Sequence, residues 1–119
     1  MLSDSRDGWA VRRTGSCGPD ESGERSWGNF STCCPSDKKK YVDVDNNSGC
    51  NDSGDPPATA INQCANSTLN LWQDSYGYFC CDQDLFGFYV TSSYWKGCAS
   101  MGEIEGNDTL HEAIKLEGK

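Results

Sequence analysis

The chain has 119 residues, enough for one domain, and a net charge of −8. Leu, Ile, Val and Phe together number only 17, and that poverty with this charge would ordinarily leave a polypeptide disordered. The acidity excludes a nucleic-acid partner, which needs a basic footprint. No apolar run approaches the roughly 18 residues of a membrane span.

Residues 1–16 read as an N-terminal arm. Met1 is followed at once by Ser3, Asp4, Arg6 and Asp7 and by no apolar leader. Such a cysteine-rich chain needs export, so a mature form or an excised piece is expected, whose parent is free to carry a membrane anchor. Trp9-Ala10-Val11 is the first predicted strand. Arg12-Arg13 has the form of a dibasic processing site; two exposed arginines on a strand is the preferred reading.

Residues 17–50 and 64–98 are two copies of one cysteine-rich unit. Fifteen residues separate Cys17 from Cys33-Cys34, and fifteen more lead to Cys50. Fifteen residues likewise separate Cys64 from Cys80-Cys81, and sixteen more lead to Cys98. Tyr41-Val42 precedes Gly49-Cys50 as Tyr89-Val90 precedes Gly97-Cys98, with six residues between in both cases. Each copy also has a Trp upstream of its double cysteine, Trp27 and Trp72. Repetition at this level marks two homologous subdomains.

Eight cysteines in a small polar chain read as four disulfides. A loop of about 15 residues closed by one bridge gains roughly 3 kcal/mol, so four supply on the order of 10 kcal/mol. Zinc fits poorly, for there is no CxxC pair and a single histidine, His111. Adjacent side chains on a strand point to opposite faces. Each double cysteine is therefore expected to pair with the first and last cysteine of its own copy, although spacing leaves other pairings open.

Further strands are predicted at Tyr41-Val42-Asp43-Val44, Tyr76-Gly77-Tyr78-Phe79 and Phe86 to Thr91. Lys38, Lys39 and Lys40 read as a solvated turn. Residues 51–63, opening Asn51-Asp52-Ser53-Gly54-Asp55-Pro56-Pro57, form the linker. Pro57 to Ala65 is predicted as a short helix. Residues 99–119 form a tail. There Thr109-Leu110-His111-Glu112 has capping-box form, which predicts an amphipathic helix with Leu110, Ala113 and Ile114 on one face and an end at Gly118. The expected fold is small, disulfide-rich and mainly β, with one or two short helices, two pseudo-repeats and four disulfides.

Five Asn-x-Ser/Thr sequons, at Asn29, Asn46, Asn51, Asn66 and Asn107, accompany the even cysteine set. Together they point to a glycosylated protein of a eukaryotic secretory pathway. Asp43, Asp45 and Asn47 are a weak calcium candidate. An EF-hand loop starting at Asp43 would need Gly where Ser48 stands and Glu where Gly54 stands, so an acidic turn is preferred.

Aromatics are the better lead. Exposed Trp and Tyr offer flat faces suited to sugars or proteins, and Trp72, Tyr76, Tyr94 and Trp95 are the candidate binding residues. Tyr94 and Trp95 stand where the first copy has Asp45-Asn46-Asn47-Ser48, and a feature present in one copy only is not a requirement of the repeat. No catalytic residues are assigned: the cysteines are claimed by the framework and His111 sits on the tail. The chain is read as no enzyme and as needing no cofactor.

Trp9-Ala10-Val11-Arg12, Phe30-Ser31-Thr32-Cys33-Cys34-Pro35, Cys64-Ala65-Asn66-Ser67-Thr68-Leu69-Asn70-Leu71-Trp72 and Gly77-Tyr78-Phe79-Cys80-Cys81 resemble words of fungal secreted cysteine-rich ectodomains. The resemblance spans most of residues 9–98. It implies a place at the fungal surface or its surroundings and contact with wall glycans or host molecules; it carries no activity. The expected function is a non-catalytic extracellular recognition module, secreted or on the cell surface, for a glycan or a surface protein. The alternatives are a secreted effector or inhibitor acting on a foreign protein, and a structural subunit of a surface layer or fibre.

Overall fold

The computed structural model describes residues 5–43, 45, 47–59, 62–90 and 95–117. Each double cysteine lies on a strand whose neighbouring side chains diverge to opposite faces. The strands are β1 (Gly8–Trp9), β2 (Val11–Thr14), β3 (Glu21–Trp27), β4 (Phe30–Pro35), β5 (Lys39–Val42) and β6 (Ser48–Asn51). Then come β7 (Asn70–Gln73), β8 (Tyr78–Cys81), β9 (Phe86–Val90), β10 (Lys96–Ala99), helix α1 (Met101–Glu105), β11 (Leu110–Glu112) and β12 (Ile114–Glu117). The four disulfides are Cys17–Cys33, Cys34–Cys50, Cys64–Cys80 and Cys81–Cys98. Every bridge stays within its copy, as strand geometry led one to expect.

Each copy contributes two antiparallel hairpins, β3–β4 with β5–β6 and β7–β8 with β9–β10. The copies are not separate beads. A six-stranded sheet runs β12-β7-β8-β2-β4-β3, and β2 meets β8 in parallel at its centre. Two three-stranded sheets, β1-β6-β5 and β10-β9-β11, complete the fold. The radius of gyration, 13.1 Å, is close to the roughly 13.5 Å of one compact domain of this length.

The N-terminal residues turn out to be sheet and core. Trp9 stacks on Tyr78 at 5.6 Å and tilts against Tyr41 at 6.1 Å, so one indole joins both copies. Trp9, Val11, Cys33, Tyr41, Cys64, Leu71 and Cys80 form one buried cluster across both copies. Arg12 and Arg13 do lie on a strand, but they are not exposed. Arg12 is buried and Arg13 is half-buried, inside a strand paired on both sides, which removes the dibasic processing site.

Both predicted helices are corrected. The described part of residues 57–65 is bend, irregular chain and an isolated bridge. The tail forms β11 and β12, because pairing with β9 and β7 satisfies more of its backbone than a marginal helix would. The helix stands earlier in the chain, capped by Ser100 where Thr109 was expected to be the cap. Ser100 caps it by accepting from the Glu103 N–H, and the Glu103 side chain reaches back to the Ser100 N–H. Ile104 is its buried anchor.

Charged staples tie the copies together. The Arg13 guanidinium grips the Glu21 carboxylate through Nε at 2.6 Å and Nη2 at 2.7 Å, and reaches Asp82 of the second copy at 2.7 Å. Burial favours the neutral form of Glu21. The Arg13 hydrogen bonds, the Gly18 N–H and the Arg13 charge outweigh it and hold the carboxyl below its ordinary 4.5. A depressed folded pKa stabilises above the unfolded value, and that stability is lost as pH falls through the folded pKa. The thermal midpoint of the native chain should exceed that of Glu21→Gln at neutral pH. A pH series of melting curves should show the gap closing below about 4.5; a gap independent of pH would refute the assignment.

Candidate functional site

The second copy carries its aromatic core toward the surface in a ladder that the first copy completes. Phe88 is buried on β9. Phe30 meets it edge-on at 5.5 Å, and Trp27 does so at 6.2 Å. Trp27 then stacks on Trp95 at 5.2 Å with only 7° between the ring planes. The outermost ring, Trp95, is 52% exposed.

Three local features hold this ladder. The β3–β4 turn brings Trp27 over Phe30 at 5.0 Å. The Trp27 Nε1–H donates to the Lys96 carbonyl at 2.8 Å, tying β3 to β10. Gly97 leaves room beneath, since a Cβ there would sit 2.8 Å from the Phe30 ring.

Beside the stacked indoles lies a cleft of about 250 Å³. Arg12, Glu24, Ser26 and Thr32 come from the six-stranded sheet, Lys40, Val42 and Ser48 from β5 and β6, and Trp27 and Trp95 form the aromatic wall. Glu24 and Lys40 pair across the exposed rim at 2.6 Å, and that pairing lowers the Glu24 pKa. At the base Arg12 is 4% exposed and donates to Ser26 Oγ at 2.9 Å. Burial pulls its pKa down to about 10, with Asp74 opposing. The cleft thus combines a flat apolar wall with hydroxyl, ammonium, guanidinium and carboxylate groups, the set that grips a polyhydroxylated ring.

Behind Arg12 lies a buried polar cluster. The Lys96 side chain is fully enclosed. Its Nζ donates to Asn47 Oδ1 at 2.6 Å and to Asp74 Oδ1 at 3.3 Å, 5.7 Å from the centre of the Phe79 ring. Burial lowers the Lys96 pKa; Asp74 and Asp43 raise it, and Arg12 lowers it further.

The predicted site residues separate. Trp95 is on the cleft. Tyr94 lies outside the described residues. Tyr76 is exposed in the β7–β8 turn, away from the cleft walls. Trp72 is corrected: it is 2% exposed, packed with Phe79 and the Cys81–Cys98 bridge, and has no face to offer. Its counterpart Trp27 is the missed residue, together with Arg12.

Two of the three calcium candidates, Asp43 and Asn47, are engaged within the chain. Asp43 Oδ1 accepts from the N–H groups of Asp45 and Asn47 at 2.9 Å, and Asn47 Oδ1 is taken by the Lys96 ammonium. A lysine cation already occupies the oxygen a metal would need. The proximity of Cys17, Glu21 and Cys33 is no metal site either, since both sulfurs are in one disulfide.

Among the sequons, Asn29 and Asn107 are exposed and Asn66 is half-buried. Asn46 lies outside the described residues. Asn51 is corrected: it is buried, and its Nδ2 donates to the Asp55 carbonyl at 2.8 Å, so a glycan on that nitrogen is incompatible with the loop. His111 is exposed on β11 and stacks on Tyr89 at 5.3 Å.

Set against known protein families, curated proteins and solved structures, the chain matches none. What it does rests on its own chemistry. Four disulfides in a domain this small are typical of extracellular proteins. Among the described residues no helix is long and apolar enough to cross a membrane.

Proposed function

We propose that this chain is a non-catalytic extracellular recognition module that binds a glycan in the cleft that first-copy strands form with Arg12 and with Trp95 of the second copy. The observation that carries the reading is the parallel Trp27–Trp95 stack standing beside a polar cleft. A sugar ring has an apolar C–H face for the exposed indole and hydroxyls for Arg12, Ser26, Glu24 and Lys40. The disulfide frame holds these groups in place before the ligand arrives, which lowers the ordering cost of binding. Residence at the fungal surface, and glycans on Asn29, Asn66 and Asn107, belong to the same proposal.

The oxidised domain should be retained on one of chitin, β-glucan, mannan or cellulose, and the reduced chain on none. Trp95→Ala should weaken that retention about tenfold, a change of roughly 1.4 kcal/mol, with the melting temperature nearly unchanged. Retention of Trp95→Ala equal to that of the native chain removes the cleft as the site. No retention on any polymer shifts the reading to a foreign protein partner.

A second reading, a subunit of a surface layer, draws on β12. It is an edge strand of the six-stranded sheet, and Ile114 and Leu116 on it are exposed. Unpaired apolar edges template pairing between chains. Size-exclusion elution that shifts to larger species with concentration, and reverts in Ile114→Lys, would favour it.

A further inference from the structure

The buried cluster behind the cleft holds an amine against a carboxamide, with a carboxyl group on the amine's other contact. We propose that Lys96 and Asn47 become joined by an intramolecular isopeptide bond between the Lys96 Nζ and the Asn47 Cγ, with Asp74 as the catalytic acid and base. This inference is independent of the glycan reading.

Geometry carries it. Nζ lies 2.6 Å from Asn47 Oδ1, which is bonded to the carbon to be attacked, and 3.3 Å from Asp74 Oδ1. The amide cannot turn away. Its Nδ2 donates to the Tyr76 carbonyl at 2.8 Å and to both Asp43 oxygens at 3.3 Å, so the carbonyl side faces the lysine. Gly77 closes over the same amide, where a Cβ would lie 2.2 Å from Nδ2. Such fixation converts a slow bimolecular aminolysis into an intramolecular one.

The surroundings suit the chemistry. Lys96 is enclosed beside the Phe79 ring, and burial favours its uncharged, nucleophilic form. Asp74 Oδ1 accepts from the N–H groups of Tyr76 and Gly77, which fixes the carboxyl. Its Oδ2 is buried and has no hydrogen-bond partner among the described residues, leaving an oxygen to carry a proton.

The step balances. The Lys96 ammonium passes one proton to Asp74. The freed lone pair on Nζ forms a bond to Cγ, and the carbonyl electrons move onto Oδ1. Asp74 delivers its proton to Nδ2, the Cγ–Nδ2 bond breaks, and the carbonyl re-forms. The proton remaining on Nζ departs with the leaving nitrogen through Asp74, which ends as a carboxylate. One amine and one carboxamide become one secondary amide and one ammonium ion, and no oxidant is needed. The bond would link the β5–β6 loop of the first copy to β10 of the second, a join that no reductant can open.

The test is the mass of the chain made without glycans, folded with all four disulfides, then denatured, reduced and alkylated. It should fall short of the sequence mass by one ammonia, and proteolysis should give a branched peptide joining Lys96 to Asn47. A succinimide formed by Asn47 and Ser48 loses the same ammonia but persists in Lys96→Arg and gives no branched peptide; finding it in place of the branch overturns the proposal. Lys96→Arg and Asn47→Ala should have their full sequence masses. Asp74→Asn keeps the turn acceptor at Oδ1, should form its disulfides, and should also keep its full mass; a branched peptide in that variant overturns the role of Asp74. The full sequence mass in the folded, fully oxidised native chain overturns the bond itself.

Discussion

Reduced without denaturant, the chain is expected to unfold. Each bridge closes a loop of sequence separation 16 or 17, worth roughly 3 kcal/mol, so the four together supply on the order of 10 kcal/mol. That matches the whole net stability of an ordinary domain, about 5–15 kcal/mol. Little stands in reserve, because the sulfurs are themselves core. Cys33, Cys64 and Cys80 sit in the cluster around Trp9, and Cys81 and Cys98 pack against Trp72. Reduction should abolish the near-UV signal of these buried indoles. A reduced chain that keeps it would show that packing alone sustains the fold. Cys34→Ala with Cys50→Ala, which empties a wholly buried pair, should be costlier than the same change at Cys17 and Cys33, where Cys17 is half-exposed.

Lys96→Met is expected to cost about 3–5 kcal/mol or more: in the unlinked chain it removes one partner of a buried ion pair, and in the linked chain it also removes the covalent join between the copies. It strips the cation from the enclosed Asp74 carboxylate and the donor from Asn47 Oδ1. At this chain length the melting temperature should drop by roughly ten degrees or more. Adding Asp74→Leu should recover part of that loss, since the double variant no longer buries an unpaired carboxylate there. Recovery stays partial because Asp74 Oδ1 also accepts from the N–H groups of Tyr76 and Gly77. A double variant less stable than Lys96→Met would mean the carboxylate serves the turn more than the lysine. Denaturant melts of the two variants decide it.

Legibility in the sequence followed the range of the interaction. The two-sided disulfide staple was readable because alternation of side chains on a strand is local; the repeated spacing favoured partners within each copy, and only the fold singled them out. Trp95 was readable for a different reason: it breaks the repeat, so the repeat cannot require it. β3 was not readable. Its Glu-Ser-Gly-Glu-Arg-Ser-Trp run has no apolar alternation, and only pairing with β4 makes it a strand. The tail shows the limit most plainly. Ser100-x-x-Glu103 and Thr109-x-x-Glu112 carry the same capping signature, and only the first is a helix. Ile104 finds a buried seat there, whereas residues after Thr109 find open edges of β9 and β7.

The sequence by itself determined the class of the protein: a mainly β, disulfide-stapled domain of two copies, held together by covalent bonds that a sparse apolar core could not replace. Tertiary structure alone decided which tryptophan faces outward. Trp27 and Trp72 hold related places in the two copies, yet Trp72 is sealed in the core and Trp27 is drawn onto β10 of the other copy. It also decided that Arg12, Asn47, Asp74 and Lys96, scattered over the whole chain, meet in one place. Packing the copies across β2 and β8 brings them together, and spacing along a chain carries no record of contacts made between sheets.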